Sequence, residues 1–223
     1  MTCVGMLCVL LALATPPAAR AQQGEDACHG ASGDPTCHGA GADAAAVSLL
    51  QITAAIKTKT KEHQQVQEEA EQWVKAHNKY RCMHGIPYLT WNPTIAANSQ
   101  AWGDQTGGGM QHSSGGYREN VAGFKYLGEN LAWASPVAFT PAQAVKYWYS
   151  EIESTNGGRV SGFGEAGHYS QVVWKATTDV GCGTTAGLNV CEYGPGGNFG
   201  FGDAYQANVN GPVKSEAECE GER

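Results

Sequence analysis

The chain has 223 residues, with 14 Lys+Arg against 21 Asp+Glu and a net charge of −7. An acidic balance argues against nucleic acid as a partner. The length suits one domain with extensions.

Met1–Ala21 reads as a secretory signal. Val4–Ala14 is an unbroken apolar run of 11 residues, enough for a signal core and too short to span a bilayer. Ala19-Arg20-Ala21 fits the small-x-small cleavage pattern. The rest of the chain offers no membrane-spanning segment, so no stable membrane insertion is expected. Cleavage removes Arg20, leaving 13 Lys+Arg against 21 Asp+Glu, a net charge of −8. Cys3 and Cys8 go as well. Cys28, Cys37, Cys82, Cys182, Cys191 and Cys219 remain, an even set that predicts disulfides in an exported chain.

Residues 22–64 read as a low-complexity and helical N-terminal extension. Gln22–Ala46 is rich in Gly, Ala and Asp, lacks aromatic residues and repeats a unit, CHGASG then CHGAGA. It reads as flexible or locally stapled. Cys28-His29 and Cys37-His38 have the donors of a Cys₂His₂ metal site. Oxidising export favours a Cys28–Cys37 disulfide instead. Helical character begins at Val47, and the Lys/Glu/Gln run that follows reads as a solvated face.

The main domain is expected over residues 65–210. Ala70, Trp73, Val74 and His77 recur at helical spacing and mark its first helix. His77 and Asn78 are expected to cap and pack. His84-Gly85-Ile86-Pro87 is a turn, after which Tyr88, Leu89 and Trp91 point inward. Asn92-Pro93 opens a second helix as N-cap and first helical residue, with a stripe of Ile95, Ala96, Ser99 and Trp102. Gly103–Gly109 breaks it. Gly128–Trp133 reads as a loop entering a strand. Thr140-Pro141-Ala142-Gln143 is a capping box that starts a helix running to about Ser154. On it Ala144, Trp148 and Glu151 share one face, so Glu151 borders an apolar stripe and needs a partner.

Gly167–Gly183, GHYSQVVWKATTDVGCG, opens as a β-rich run with His168 at its start. Strand alternation would put His168, Ser170, Val172 and Trp174 on one face. His168 is then either a core histidine bonded to backbone or a site residue at the rim of packed core. Val180–Thr185 and Leu188–Tyr193 read as a hairpin, close enough for Cys182 and Cys191 to bond across it. Residues 211–223 form an acidic tail tied to the body by Cys219, with Cys82 its partner by elimination.

Five stretches carry a family resemblance: HNKYRCMHGIPYLTW (His77–Trp91), GENLAW (Gly128–Trp133), VKYWYSE (Val145–Glu151), GHYSQVVWKATTDVGCG and LNVCEYGPGGNF (Leu188–Phe199). Their order and spacing resemble the CAP superfamily of cysteine-rich secretory proteins, antigen 5 and pathogenesis-related proteins. Two residues depart from the pattern: Asn189 replaces an apolar residue, and Glu192 a neutral polar residue or histidine. The resemblance implies an α/β fold, the three-layer α-β-α sandwich known as the CAP/SCP fold. It also implies a cavity tetrad falling on His112, Glu129, Glu151 and His168. His112-Ser113 matches a His-Ser pair, with a longer interval before GENLAW than the pattern has.

Two imidazoles, His112 and His168, can hold a zinc-like ion, with Glu129 and Glu151 orienting them. The same four can instead form a hydrogen-bond network that shapes a cleft. A catalytic zinc has three protein ligands as a rule, and no nucleophile set stands out, so no catalytic residue is assigned. The reading is a secreted, extracellular module that binds a lipid or sterol, or an extracellular protein partner in defence. The alternative is a metal-dependent, peptidase-like hydrolase using the same cavity. Val137, Phe139, Trp148 and Tyr149 are the candidate apolar contacts for a lipid.

Overall fold

The computed structural model describes residues 40–162, 164 and 166–220. The signal Met1–Ala21, the Cys28–Cys37 pair with its two histidines, and most of the Gly/Ala-rich extension lie outside the described residues. Contacts divide the chain into Met1–Gln51 and Ile52–Arg223. Only helical residues of the first unit are described; the second holds the core.

Eleven elements follow in order among the described residues: α1 (Ala40–Met83), β1 (Thr90–Trp91), α2 (Pro93–Thr106), β2 (Glu119–Val121), β3 (Phe124–Tyr126), β4 (Gly128–Trp133), α3 (Pro141–Tyr149), α4 (Gly167–Val172), β5 (Asp179–Thr185), β6 (Leu188–Gly194) and α5 (Asp203–Asn208). The sheet runs β1-β5-β6-β4, while β2 and β3 form a separate hairpin. β5 and β6 pair antiparallel with Cys182 opposite Cys191, and β4 pairs antiparallel with β6. β1 adds a short parallel edge to β5. The result is the three-layer α-β-α sandwich.

Sheet alternation sorts the core into two layers. Cys182, Cys191 and Tyr193 face a cluster with Trp73 and Tyr80 of α1, Trp148 of α3 and Tyr169 of α4. Leu131, Leu188 and Val190 face Trp102 of α2. Trp73, Trp148 and Trp174 are fully buried, each contributing roughly 2–3 kcal/mol by removing apolar surface from water. α2 lies close on β5 because Gly181 has no Cβ; one there would run into the backbone of Ile95 and Ala96.

Local signals set the helix ends. The Asn92 side chain accepts from the amides of Thr94 and Ile95, and Gly107 closes α2 in the left-handed conformation. The Thr140 capping box is complete, with Gln143 returning the bond. The expected helix to Ser154 tightens at Ser150 into a 3₁₀ turn, Ser150–Ser154. α1 begins at Ala40, earlier than its apolar spacing indicates, over Ala-rich sequence with high helix propensity. Leu89 is buried as expected, whereas Tyr88 is 38% exposed.

The strand expected from His168 onward does not form. His168–Val172 is helix α4, not strand. His168, Ser170, Val172 and Trp174 therefore share no sheet face. Tertiary partners hold both ends of this short helix. At its start Glu151 accepts from the backbone amides of His168 and Tyr169, at 2.8 and 3.1 Å. At its end buried Arg81 donates to the carbonyls of Val172 and Trp174, and also to those of Pro87 and Thr177. Six residues cannot sustain a helix alone; these two side chains satisfy its terminal groups.

Both expected disulfides among the described cysteines are present. Cys182–Cys191 staples the β5–β6 hairpin. Cys82–Cys219 ties the tail to α1, where Val213 and Lys214 also donate to the Met83 carbonyl. Closing a loop of that length restricts the unfolded chain and stabilises the fold by about 4 kcal/mol.

Candidate functional site

Four elements meet at one end of β4. His112 lies on the loop after α2, Glu129 on β4, Glu151 on the 3₁₀ turn after α3, and His168 in the first turn of α4. All four line one cavity of about 220 Å³, together with Asn130, Gly164, Gly167 and Asn198. Larger grooves exist, including one of about 600 Å³ beside Arg159 and Gln206. What distinguishes the smaller cavity is its convergence of titratable groups.

The tetrad is two pairs. His112 Nδ1 lies 2.6 Å from Glu129 Oε1, and His168 Nδ1 lies 2.6 Å from Glu151 Oε1. A carboxylate can only accept, so Nδ1 carries a proton in each ring, and in the neutral ring that leaves the lone pair on Nε2. Both carboxylates also bind backbone. Glu129 accepts from the Ser113 amide at 3.0 Å, and Glu151 from the amides that open α4. Burial pushes the Glu129 carboxyl upward, but bonds from His112 and Ser113 and the charge of Arg118 outweigh it. The net effect holds Glu129 below the usual carboxylate range.

Further side chains fix this geometry, and the expectations above did not assign them. Asn130 donates to the His168 carbonyl at 3.1 Å and to Tyr193 Oη at 3.3 Å. Tyr193 Oη lies 2.8 Å from His77 Nε2, whose Nδ1 donates to the Trp73 carbonyl. Burial lowers His77 to about 4, so it stays neutral and structural, as its expected packing role requires. Asn198 accepts from Ser170 Oγ and donates to the Gly167 carbonyl, both at 2.7 Å. Gln171 accepts from the Gly197 amide. A Cβ at Gly128 would strike that Gln171 amide, which is why β4 opens on glycine. Asn130 and Asn198 fall inside the GENLAW and GPGGNF stretches, so a signal for them was present.

Trp148 and Tyr149, offered as lipid contacts, are instead core side chains, 0% and 8% exposed. Trp148 stacks on Trp73 and on His168, with centroids 6.2 and 6.5 Å apart. Val137 is 76% exposed, and Phe139 stacks on exposed Tyr147. Among the described residues no group of three or more His, Cys, Asp or Glu side chains is arranged to hold a metal ion.

The family model of the cysteine-rich secretory proteins matches residues 74–194, more than half of the chain. The chain belongs to the cysteine-rich secretory protein family. Fruiting body protein SC7 of Schizophyllum commune is 40% identical over 119 residues, covering 52% of this chain and 50% of SC7. Secreted protein RBT4 of Candida albicans is 37% identical over 141 residues, covering 58% of this chain and 35% of RBT4. The chain thus spans half or less of these two fungal relatives. Pathogenesis-related protein 1 of Arabidopsis thaliana is 31% identical over 140 residues, covering 60% of this chain and 80% of that protein. Among solved structures, NaASP2 with Zn²⁺ aligns with a TM-score of 0.53 at 24% identity, over 68% of this chain and 94% of NaASP2. That likeness shows the shared fold. Membership in the cysteine-rich secretory protein family also matches the two disulfides. No helix among the described residues is long and apolar enough to cross a membrane.

Proposed function

We propose that this member of the family is a secreted binding module whose His/Glu cleft holds a divalent metal ion through Nε2 of His112 and His168. The observation that carries this is the twin pairing. Both Nδ1 atoms are committed to carboxylates, which fixes each ring, and both histidines line one cavity. A carboxylate behind a metal-binding imidazole raises its basicity and fixes its tautomer. Two imidazoles suit zinc and leave open positions, and NaASP2 was crystallised with that ion. When bound, such an ion supplies a Lewis acid and an ordered water.

The alternative, a peptidase-like hydrolase, asks one carboxylate to serve as general base. Glu129 and Glu151 each already accept a histidine proton and backbone amides, which favours a binding role for the cleft. Export is supported by the signal-like Met1–Ala21, by the disulfides and by a relative named as secreted. A lipid or sterol, or an extracellular protein partner, would be met at the exposed apolar side chains near β4, Trp133, Val137 and Tyr147.

Calorimetric titration with Zn²⁺ tests the metal reading. One site is expected in the native protein, weakened at least about tenfold in His112→Ala and in His168→Ala. Equal binding by the His168→Ala protein would overturn it. Sterol pull-down by the native protein and by Val137→Asp tests the apolar ligand, and equal retention by both removes Val137 from that role.

A further inference from the structure

Helix α1 carries an exposed stretch that the fold does not use. Ala70, Trp73, Ala76 and His77 are buried, whereas all of residues 52–69 are exposed, with Ile52 at 53% and Ile56 at 60%. A helical stretch with no packing on it is marginal in water, and its charges do not support it. Like charges sit one turn apart, Lys57 with Lys61 and Glu68 with Glu71, where opposite charges would stabilise a lone helix. Thr58 and Thr60 bond back to helix carbonyls and Gln64 to Glu68, all within the helix. Lys57 and Glu71 form no salt bridge among the described residues.

Where α1 meets the core, a groove of about 480 Å³ is lined by Ala70, Glu71, Val74, Lys75 and Trp91. Val74 and Trp91 are partly buried at the edge of the main cluster. Val74 lies about five turns after Ile56, so the two share one face of the helix. Ile52 lies one turn before Ile56, and Ala70 one turn before Val74, on that same face. Lys57 and Glu71 border it along one edge, about four turns apart. One level of the helix thus has an apolar ridge with a cation beside it, and another has an apolar groove with an anion beside it.

The chemistry selects what covers the ridge. Residues 22–46 contain no Leu, Ile, Val or aromatic residue, so the chain's own extension has nothing to lay on it. Residues 52–71 carry three Lys and four Glu, not the basic polar face that an anionic bilayer selects. A second copy fits. Turned antiparallel about a two-fold level with His63 and Gln64, each helix brings Ile56 to the level of the other's groove and Lys57 to the level of Glu71. The two-fold sets like edges together, so the Lys57–Glu71 contact occurs twice. A parallel pair would set Lys57 level with Lys57 and Glu71 level with Glu71. We infer that α1 is a homodimerisation element: two copies pair antiparallel, each laying Ile52 and Ile56 into the other's groove beside Ala70, Val74 and Trp91, with Lys57 meeting Glu71 at both ends. The interface is isologous. It uses none of the tetrad, so it stands whether or not the cleft binds metal.

The test is sedimentation equilibrium of the native protein and four variants over a concentration series. The native protein is expected to form a dimer. Ile56→Asp raises the dissociation constant at least about tenfold and leaves the urea midpoint of the fold in place, because Ile56 is outside the core. Lys57→Glu and Glu71→Lys each weaken the dimer about threefold, and the two combined in one chain restore it. In a parallel pair the single charge reversals would change little, since one like-charge contact replaces another. A native protein that stays monomeric throughout the series overturns the proposal. So does an Ile56→Asp protein that dimerises like the native one, or a double charge reversal no tighter than the single ones. Mixing with phosphatidylserine vesicles covers the lipid outcome: a monomer that co-sediments with them, and stops doing so in Ile56→Asp, assigns the ridge to a membrane surface and overturns the dimer.

Discussion

The two histidine–carboxylate pairs have the same 2.6 Å contact and opposite construction. In the first, the Glu129 side chain is fully buried while His112 is 57% exposed on a loop. In the second, Glu151 and His168 are 24% and 27% exposed, and the histidine sits in a helix whose first amides its own carboxylate satisfies. One pair anchors an exposed loop side chain to a buried carboxylate on a strand. The other is a mutual brace between a 3₁₀ turn and a six-residue helix. Equal distances thus conceal unequal dependence: the first pair relies on the strand that carries Glu129, and the second on what holds α4.

Several substitutions would break or sharpen this contrast. Trp148→Ala should act most strongly, costing about 4 kcal/mol in urea unfolding because a fully buried indole leaves a cavity. It should shift the His168 ring resonances and leave those of His112 in place. Glu192→Gln should change how stability depends on pH. A carboxyl raised from 4.5 to about 7 on folding makes the native state bind more protons than the unfolded chain between those values. Native stability therefore falls as pH rises from about 4.5 to 7, by on the order of 3 kcal/mol. Glu192→Gln removes that slope, so its stability relative to the native protein should grow over the same window and then level off. A constant difference from pH 4 to 8 would contradict this.

Smaller effects separate the pairs further. Glu129→Ala strands a buried amide and is expected to cost about 2 kcal/mol, against about 1 for Glu151→Ala, whose side chain is 24% exposed. Denaturant midpoints at pH 7 check the ranking. Each pair also has a serine beside it. Ser170→Ala loses the 2.7 Å bond to Asn198 Oδ1 and should cost about 1 kcal/mol. Ser113→Ala should lie within about 0.5 kcal/mol of native, since Ser113 Oγ has no hydrogen-bond partner among the described residues.

What was legible in the sequence were features written in adjacent residues. Asn92-Pro93 and the Thr140 box announce their helices, and the β5–β6 hairpin and its disulfide follow from one local pattern. The four cavity residues were reached through the resemblance of five ordered stretches, not through periodicity. α4 was misread because nothing within GHYSQV specifies a helix. Its ends are satisfied by Glu151 and by Arg81, which lies 91 residues from Val172. Glu192 was noticed as a departure, but its position opposite Glu129 depends on a strand register that no local signal sets. A carboxyl noted only as a departure from the family pattern proves fully enclosed.

Among the described residues β4 has a strand neighbour on one side only, β6. An outer strand invites a foreign chain to add itself to the sheet. Here the Leu131 carbonyl accepts from the Trp148 indole at 2.8 Å, and the Asn130 side chain donates to the His168 carbonyl of α4. The same segments that shape the cleft thus act as a guard rail against self-assembly into ribbons. Loosening them for new specificity would be expected to bring precipitation before it brings loss of the fold.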